Sequence, residues 1–142
     1  GGYKVGIIGS IGEQLRTSIL ASCVENYEFK DPASLVEEEA RNLRDAGCDV
    51  VIWLNHEAVS TIKSVSDVDA IFGGHAHIKD SSTAAVPMAA TPNYGKGIAH
   101  ISLKINKDGR ITKINRIKSM IYSCFSKNIH SCFYCFDSDI RR

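Results

Sequence analysis

The sequence has no long apolar run and only three prolines among its 142 residues. No stretch approaches the ~20 consecutive apolar residues that a membrane-spanning helix needs. Its 11 glycines are too few for the Gly-X-Y repeat of collagen. Hydrophobic residues make up 44% and charged residues 23% of the chain, which excludes a disordered or coiled-coil protein. We therefore expect one ordinary globular domain.

The N-terminus also lacks features. The sequence begins Gly-Gly-Tyr-Lys, with neither an initiator Met nor a signal peptide, and it enters a β-rich pattern within two residues. We expect such a start from the middle of a longer protein.

Charge is distributed unevenly along the chain. Residues 104–142 contain nine Lys or Arg and three Asp, although the net charge of the whole chain is only +1. A basic segment is one feature of nucleic-acid-binding proteins, but no motif with interleaved aromatic residues accompanies it here. We expect no nucleic-acid partner, and we interpret the basic segment as a solvated surface.

The five cysteines are an odd number, so one chain cannot pair them all in disulfides. Cys23 and Cys48 are expected to be small core residues. The other three lie near the C-terminus: Cys124, Cys132 and Cys135. A zinc knuckle formed by the Cys-x-x-Cys pair and His130 is an alternative, but a single such pair without a second is a weak signal.

The order of elements predicts an α/β sheet. Residues 3–9 are β-rich, whereas residues 19–24 could form either a helix or a strand. Asp31-Pro32 is typical of a helix start, and Gly47 of a helix end. Buried strands are then predicted at residues 49–54 and 68–72, and the strand–helix–strand order favours parallel pairing.

After Gly74 the pattern becomes antiparallel. Residues 84–91 and 97–105 are predicted strands, Asn106-Lys107-Asp108-Gly109 is a predicted turn, and residues 110–118 are the predicted return strand. No clear period continues beyond Ser119. We expect residues 1–118 to be one unit and residues 119–142 to be a Cys-rich tail of separate character.

Two histidines follow the two central strands directly. His56 comes after the strand at residues 49–54, and His75 comes after the strand at residues 68–72. In parallel sheets, ligands and catalytic groups collect beyond the carboxyl ends of the strands. Because imidazole is a good ligand for transition metals, the pattern predicts a metal site at this edge.

A third histidine, His77, lies two residues after His75. In an extended turn both rings would point the same way, and Gly73 and Gly74 would let the backbone turn sharply. A surface turn with solvated histidines is the alternative for this segment taken alone.

The Gly6-x-x-Gly9-x-x-Gly12 segment does not have the spacing of a dinucleotide-binding loop, so NAD is not expected. His100 is expected to be a structural residue on its strand.

The stretch VDAIFGGHAH, preceded by DVVIWLNH, resembles the C-terminal half of the calcineurin-like metallophosphoesterase domain of the 5′-nucleotidase family. The resemblance continues through VPMAATPNYGKGIAHISLKINKDG. It reaches back to KVGIIGSIGE and DPASLVEEEARNLRDAGCD, and therefore covers roughly residues 1–118. It implies an α/β fold, part of the family's αββα sandwich, that ends in an antiparallel hairpin near Lys118.

The resemblance also implies a dinuclear metal site. His56 and His75 would ligate one ion and His77 the other, whereas Ala76 occupies a position that is not a ligand. Asn55, Glu57, Gly73 and Gly74 would support or shape the site without binding metal. The ions would be divalent, with zinc, manganese or iron all chemically suitable. In the family, such a site hydrolyses nucleotides or other phosphate esters, with two ions assisting attack on phosphorus.

The number of available ligands limits what this chain does alone. Two ions need about seven protein ligands between them, and this chain offers three. The family's remaining ligands lie on Asp-x-His, Gly-Asp and Gly-Asn-His segments, which precede the stretch that this chain resembles. We therefore expect an inactive part of a phosphoesterase, with uncovered sheet edges and apolar surface.

Two alternatives to this interpretation remain. The chain could be a non-catalytic remnant that binds metal weakly or packs against a partner. It could also be one part of a split enzyme that a separate N-terminal half completes. The family's usual location predicts the cell surface, the periplasm or the extracellular space.

Overall fold

A computed structural model describes residues 2–63, 65–83, 85–106 and 111–121, with only the backbone described for residues 112–121. In chain order the elements are β1 (Val5–Ile11), a 3₁₀ helix (Glu13–Ser18), α1 (Ala21–Val24), α2 (Ala33–Asp45), β2 (Val50–His56), β3 (Ala70–Gly73), β4 (Asp80–Ser82), β5 (Met88–Ala90), β6 (Gly97–Ile105) and β7 (Ile111–Ile121). None of the helices in these ranges is long and apolar enough to cross a membrane.

The strands form two sheets. The larger has five strands in the order β1-β2-β3-β5-β4. Its first four strands are parallel, and β4 at the far edge is antiparallel to β5. The smaller sheet is the antiparallel pair β6–β7, which lies against β5. The α/β fold predicted from the sequence is confirmed.

Helix α2 begins and ends where its sequence predicts. The backbone N–H of Ala33 donates to Oδ1 of Asp31 at 3.0 Å, and Pro32 has a φ of −74° in the position before the first helical residue. Asp31 therefore caps the helix, as expected for an Asp-Pro pair at a helix start. At the other end, Gly47 has a φ of +83°, the left-handed conformation that ends a helix and that glycine adopts without strain.

The main core lies between α2 and one face of the large sheet. Val36 and Ala40 of the helix are 2% and 0% exposed, and Trp53 of β2 is 1% exposed. Gly6 of β1 lets the helix approach closely, because a Cβ there would lie 2.8 Å from Cδ1 of Leu43. This glycine therefore serves packing, and α2 is held directly over β1 and β2.

The opposite face of the sheet is largely uncovered at its β1 end. Val5 and Ile7 of β1 are 47% and 56% exposed, and Leu54 of β2 is 44% exposed. Ile11, at the end of β1, is also exposed. On β3 and β5 the corresponding side chains are buried, with Ala70 1% and Ala89 0% exposed. The sheet thus presents a strip of apolar side chains to solvent beside its covered part.

An ion pair anchors the start of β3. The Oδ2 atom of Asp69 accepts hydrogen bonds from the backbone N–H of Val51 at 2.7 Å and from Arg44 of α2 at 2.5 Å. The Arg44 guanidinium also donates to the backbone oxygens of Asp49 at 2.8 Å and Asp67 at 3.3 Å. One arginine therefore joins α2 to the starts of two neighbouring strands.

Several expectations about the elements were wrong in detail. The strand predicted at residues 84–91 is only Met88–Ala90, and β4 was not predicted. Cys23, on the short helix α1, is exposed rather than part of the core, whereas Cys48 is buried as predicted. The segment at residues 19–24, which had two possible structures, contains that helix.

The hairpin was predicted more closely. Strand β6 has the predicted bounds, and β7 continues three residues beyond Lys118 to Ile121, which pairs with Gly97. Residues 107–109 of the predicted turn lie outside the described ranges. The same is true of the tail cysteines and His130, so the zinc-knuckle alternative also falls on residues that are not described.

Candidate metal centre

Three neighbouring parallel strands end at one edge of the large sheet, which we call the carboxyl edge. The register pairs Ile11 with His56 and Asn55 with Gly73, so β1, β2 and β3 end almost level. His56 is the last residue of β2, and His75 follows the end of β3 by two residues. The parallel pairing inferred from the sequence therefore brings both histidines to the same place.

The rings of His56 and His75 contact each other. Their centroids are 5.2 Å apart and their planes meet at 73°, an edge-to-face arrangement. Both side chains are exposed. Two imidazoles this close, with solvent access, fit part of the coordination sphere of a divalent transition metal, which accepts neutral imidazole nitrogen readily.

The turn that carries His75 differs from the expected extended segment. His75 has a φ of +59° and His77 a φ of +57°, so both are left-handed. The N–H of Ala76 donates to the oxygen of Gly74 at 2.6 Å, which makes a tight three-residue turn centred on His75. The alternation of an extended chain does not apply to such a turn.

His77 has a different neighbour from His75. Its Nδ1 atom lies 3.4 Å from Nδ2 of Asn93, in the loop after β5. A contact of this kind can select the ring nitrogen that remains available for a ligand. The structure thus pairs His56 with His75 and places His77 against the next loop.

Gly73 and Gly74 serve close approach rather than a sharp bend. Neither is among the residues with positive φ. A Cβ at Gly73 would lie 2.9 Å from the backbone oxygen of Glu57 and from Cγ2 of Val59, and a Cβ at Gly74 would lie 3.4 Å from Nδ1 of His56. The glycines therefore allow the loop after β3 to lie directly against the loop after β2.

The two residues that flank His56 are buried and polar. Asn55 is 3% and Glu57 8% exposed. Nδ2 of Asn55 donates to Oε2 of Glu57 at 3.1 Å, and Nε2 of Gln14 donates to Oε1 of Glu57 at 2.5 Å. Glu57 therefore lies in a buried, hydrogen-bonded position rather than on the solvated surface.

A cavity of about 290 Å³ lies beside Glu57, and Asp31 and Lys63 also line it. The hydrogen bond from Lys63 lowers the pKa of the Asp31 carboxyl below its ordinary value, and the bond from the N–H of Ala33 adds to this effect. The same pair raises the pKa of Lys63. Asp31 is thus held as a carboxylate where it caps α2.

The chain does not assemble a larger metal cluster from its described parts. Within residues 2–63, 65–83, 85–106 and 111–121, no three His, Cys, Asp or Glu side chains are arranged to hold a metal ion. His56, His75 and His77 are therefore not brought together as one three-residue group in these ranges.

Sequence reasoning did not identify Ser10, Gln14, Trp53 or Asn93. One signal was available for Trp53 and Ser10: Trp53 lies in the middle of an apolar strand, and a buried indole N–H needs an acceptor. Its acceptor is Oγ of Ser10 at 2.7 Å. Asn93 lies 16 residues from His77, and no spacing rule in the sequence connects the two.

Comparison with solved structures reveals clear likenesses in fold. The chain is similar to the sulfate thiohydrolase SoxB of Thermus thermophilus, with 21% identity and a TM-score of 0.69 over 85% of this chain and 23% of that one. It is similar to the calcineurin-like phosphoesterase YfkN of Bacillus subtilis, with 24% identity and a TM-score of 0.65 over 84% of this chain and 44% of that one.

A third similar structure is the NAD nucleotidase NadN of Haemophilus influenzae. The identity is 18% and the TM-score 0.58, over 84% of this chain and 28% of that one. No family model and no curated protein sequence matches the chain. The chain spans less than half the length of each of the three similar structures. The likeness therefore establishes the fold over most of the chain.

Proposed function

We propose that this chain, whose fold is 5′-nucleotidase-like and metallophosphoesterase-like, supplies the His-rich part of a dinuclear metal site in a phosphoester hydrolase. His56 and His75 would bind one ion, and His77 would bind the other. The observation that carries the proposal is the ring contact between His56 and His75, 5.2 Å between centroids, at the carboxyl edge of the sheet. Ligand sites of parallel sheets form at this edge.

Divalent ions at such a site polarise a phosphate ester and assist the attack of water on phosphorus. The protein's own residues present and hold the donors. The tight turn at His75 directs its ring toward the end of β2, and the nearby Asn93 orients the ring of His77. The exposure of all three imidazoles leaves room for a substrate to approach.

The proposed site needs donors that do not come from the described residues. A transition-metal ion takes about four to six ligands, and the imidazole pair supplies two of them. We infer that a further segment, in the same polypeptide or in a partner, completes the site. The uncovered apolar strip of Val5, Ile7, Ile11 and Leu54 supports this inference, because such surface is usually covered in a complete domain.

The substrate would be a nucleotide or another phosphate ester, in keeping with the resemblance of VDAIFGGHAH to nucleotidases, and the enzyme would act at the cell surface, in the periplasm or outside the cell. A second candidate function is a non-catalytic remnant. The partial donor set among the described residues favours it, because one pair of imidazoles holds metal weakly.

Metal content and phosphate release together test the proposal. The purified chain is loaded with Zn²⁺ or Mn²⁺, and bound metal is measured in wild type, His56→Ala, His75→Ala and the control His100→Ala. We expect measurable bound metal, at most one ion per chain, that is lost in the first two variants and kept in the third. His100 is the matched control because it is a histidine outside the proposed ligand set. It lies on β6, with its Nε2 atom 3.4 Å from Oγ of Ser102.

The possible outcomes separate the candidates. Wild-type chain that binds no metal supports the remnant, and metal that survives both His56→Ala and His75→Ala contradicts the assigned ligands. Release of phosphate from AMP by the chain alone is expected to be absent or very slow. Efficient release would show that the donor set is complete and would overturn the proposal of a partial site.

A further inference from the structure

Glu57 is a buried carboxylate that the proposed metal chemistry does not use. It is 8% exposed and follows His56 directly in the sequence. Burying a carboxylate is costly unless hydrogen bonds compensate for the lost water. Both of its oxygens have such bonds, one from Gln14 and one from Asn55. A buried acidic side chain with both oxygens bonded in this way needs an explanation beyond packing.

The carboxylate ends a continuous chain of hydrogen bonds. Nε1 of Trp53 donates to Oγ of Ser10 at 2.7 Å, and that hydroxyl donates to Oδ1 of Asn55 at 3.0 Å. Nδ2 of Asn55 then donates to Glu57 at 3.1 Å. Because a carboxylate only accepts hydrogen bonds, Nδ2 of Asn55 faces Glu57, which leaves Oδ1 of Asn55 to accept from Ser10. The amide of Asn55 therefore has one orientation, with its NH₂ group toward Glu57.

Glu57 joins three loops through its backbone and side chain. The backbone oxygen of Glu57 accepts from the N–H of Gly74 at 2.8 Å, which ties the loop after β2 to the loop after β3. Its side chain reaches Gln14, in the 3₁₀ helix after β1. A Cβ on Gly12 would lie 2.9 Å from Cδ of Glu57, so the carboxylate fills the space that this glycine leaves.

We propose that Glu57 is a positioning residue that sets the spacing between the His56 and His75 rings. It would do so by holding together the loops after β1, β2 and β3. For its relevance to metal binding, the proposal rests on the function proposed above. The ring spacing itself is a property of the metal-free chain. Partners that orient metal ligands in this way typically change metal affinity about 10–100-fold when they are removed.

The hydrogen-bond directions predict which substitution preserves the network. In Glu57→Gln, the new side-chain oxygen would accept from Nδ2 of Asn55. Its NH₂ group would face Gln14, which is exposed and can reverse its amide to present an oxygen. In Glu57→Leu, both amides lose their acceptor. The two variants therefore separate the hydrogen-bond network from the volume of the side chain.

The first experiment needs no metal. In the NMR spectrum of the metal-free chain, ring protons of His56 and His75 should give a cross-relaxation peak, since the centroids are 5.2 Å apart. We expect the peak to be lost in Glu57→Leu and kept in Glu57→Gln. It should also be kept in the control Glu13→Leu, since Glu13 is an exposed carboxylate that lines the same cavity.

The second experiment measures Co²⁺ affinity by the visible absorption of the bound ion. Glu57→Leu should weaken binding at least about tenfold, and Glu57→Gln should remain within about threefold of wild type. Equal affinity and an intact ring contact in Glu57→Leu would overturn the proposal. A loss in Glu57→Gln as large as in Glu57→Leu would also overturn it, because the charge alone would then be responsible.

Gln14→Leu provides the test if Glu57→Leu does not fold. Gln14 is exposed, so its replacement should leave the fold intact and remove one of the two donors to Glu57. We expect a weakened ring contact and a smaller loss of Co²⁺ affinity, and no change in either would refute the positioning role. If wild type binds no Co²⁺, the function proposed above fails, and the ring-contact series still decides the role of Glu57.

Discussion

The link between Asp69 and Arg44 gives the clearest prediction for stability. The Asp69 carboxylate, with a side chain 15% exposed, accepts from Arg44 and from the backbone N–H of Val51. Val51 is fully buried in the central strand β2. Both bonds go to Oδ2, so replacing Asp69 with Ala removes the acceptor of both at once. The backbone N–H of Val51 would then face a short side chain that cannot accept a hydrogen bond.

The size of the effect follows from these two contacts. An unsatisfied buried N–H costs about 1–3 kcal/mol, and a hydrogen bond to a charged group contributes about 1.5–3 kcal/mol. Arg44 keeps its bonds to backbone oxygens and is 29% exposed, so much of the second contribution is recovered. We therefore expect Asp69→Ala to lower the free energy of unfolding by about 2–4 kcal/mol. Asp69→Asn keeps one acceptor for Val51 and should lose about half as much.

Urea denaturation followed by the fluorescence of Trp53 measures this change. Asp45→Ala is the matched control, because Asp45 is an exposed carboxylate at the C-terminal end of α2. Its removal should be neutral or slightly stabilising, since a negative charge is unfavourable at that end of a helix. A loss below about 1 kcal/mol in Asp69→Ala would refute the reasoning, because one unsatisfied N–H alone should exceed it.

Two further predictions concern the carboxyl edge and the start of α2. Gly73→Ala should lower the free energy of unfolding by about 1–3 kcal/mol in urea denaturation, because its Cβ would lie 2.9 Å from the backbone oxygen of Glu57. Gly9→Ala, where a Cβ meets nothing within 4 Å, should have much less effect, and equal losses would contradict the steric argument. The pKa of Asp31 is lowered by its bond from Lys63, so its contribution to stability is present above its ordinary pKa and is lost as the pH falls through the lower folded value. The stability difference between wild type and Asp31→Asn should therefore shrink in acid, and a difference that is constant down to about pH 2 would argue against it.

The fold was predictable where pattern and local chemistry agreed. Strand β2 is an apolar run, which is typical of a buried parallel strand. It follows Gly47, a residue type that commonly ends a helix. Strand β4 was missed because Asp80-Ser81-Ser82 is polar and has low strand propensity. It forms because the edge of β5 provides hydrogen bonds, which a local pattern does not contain.

The candidate site was predictable in part for the same reason. The positions of His56 and His75 follow from strand ends alone, so the sequence placed both at one edge. The left-handed conformation of the turn was not predictable from the sequence, because non-glycine residues seldom adopt a positive φ. The role of Ser10 was also hidden, since it depends on a register that aligns this residue with Asn55 across two strands.

The left-handed conformations of His75 and His77 have a consequence for how the chain can evolve or be engineered. A side chain with a Cβ costs roughly 1–2 kcal/mol in this region compared with glycine. Glycine at either position would therefore make the chain more stable and at the same time remove an imidazole. Selection or design for thermal stability alone would tend to replace the two histidines, whereas selection for the metal binding proposed above would retain them.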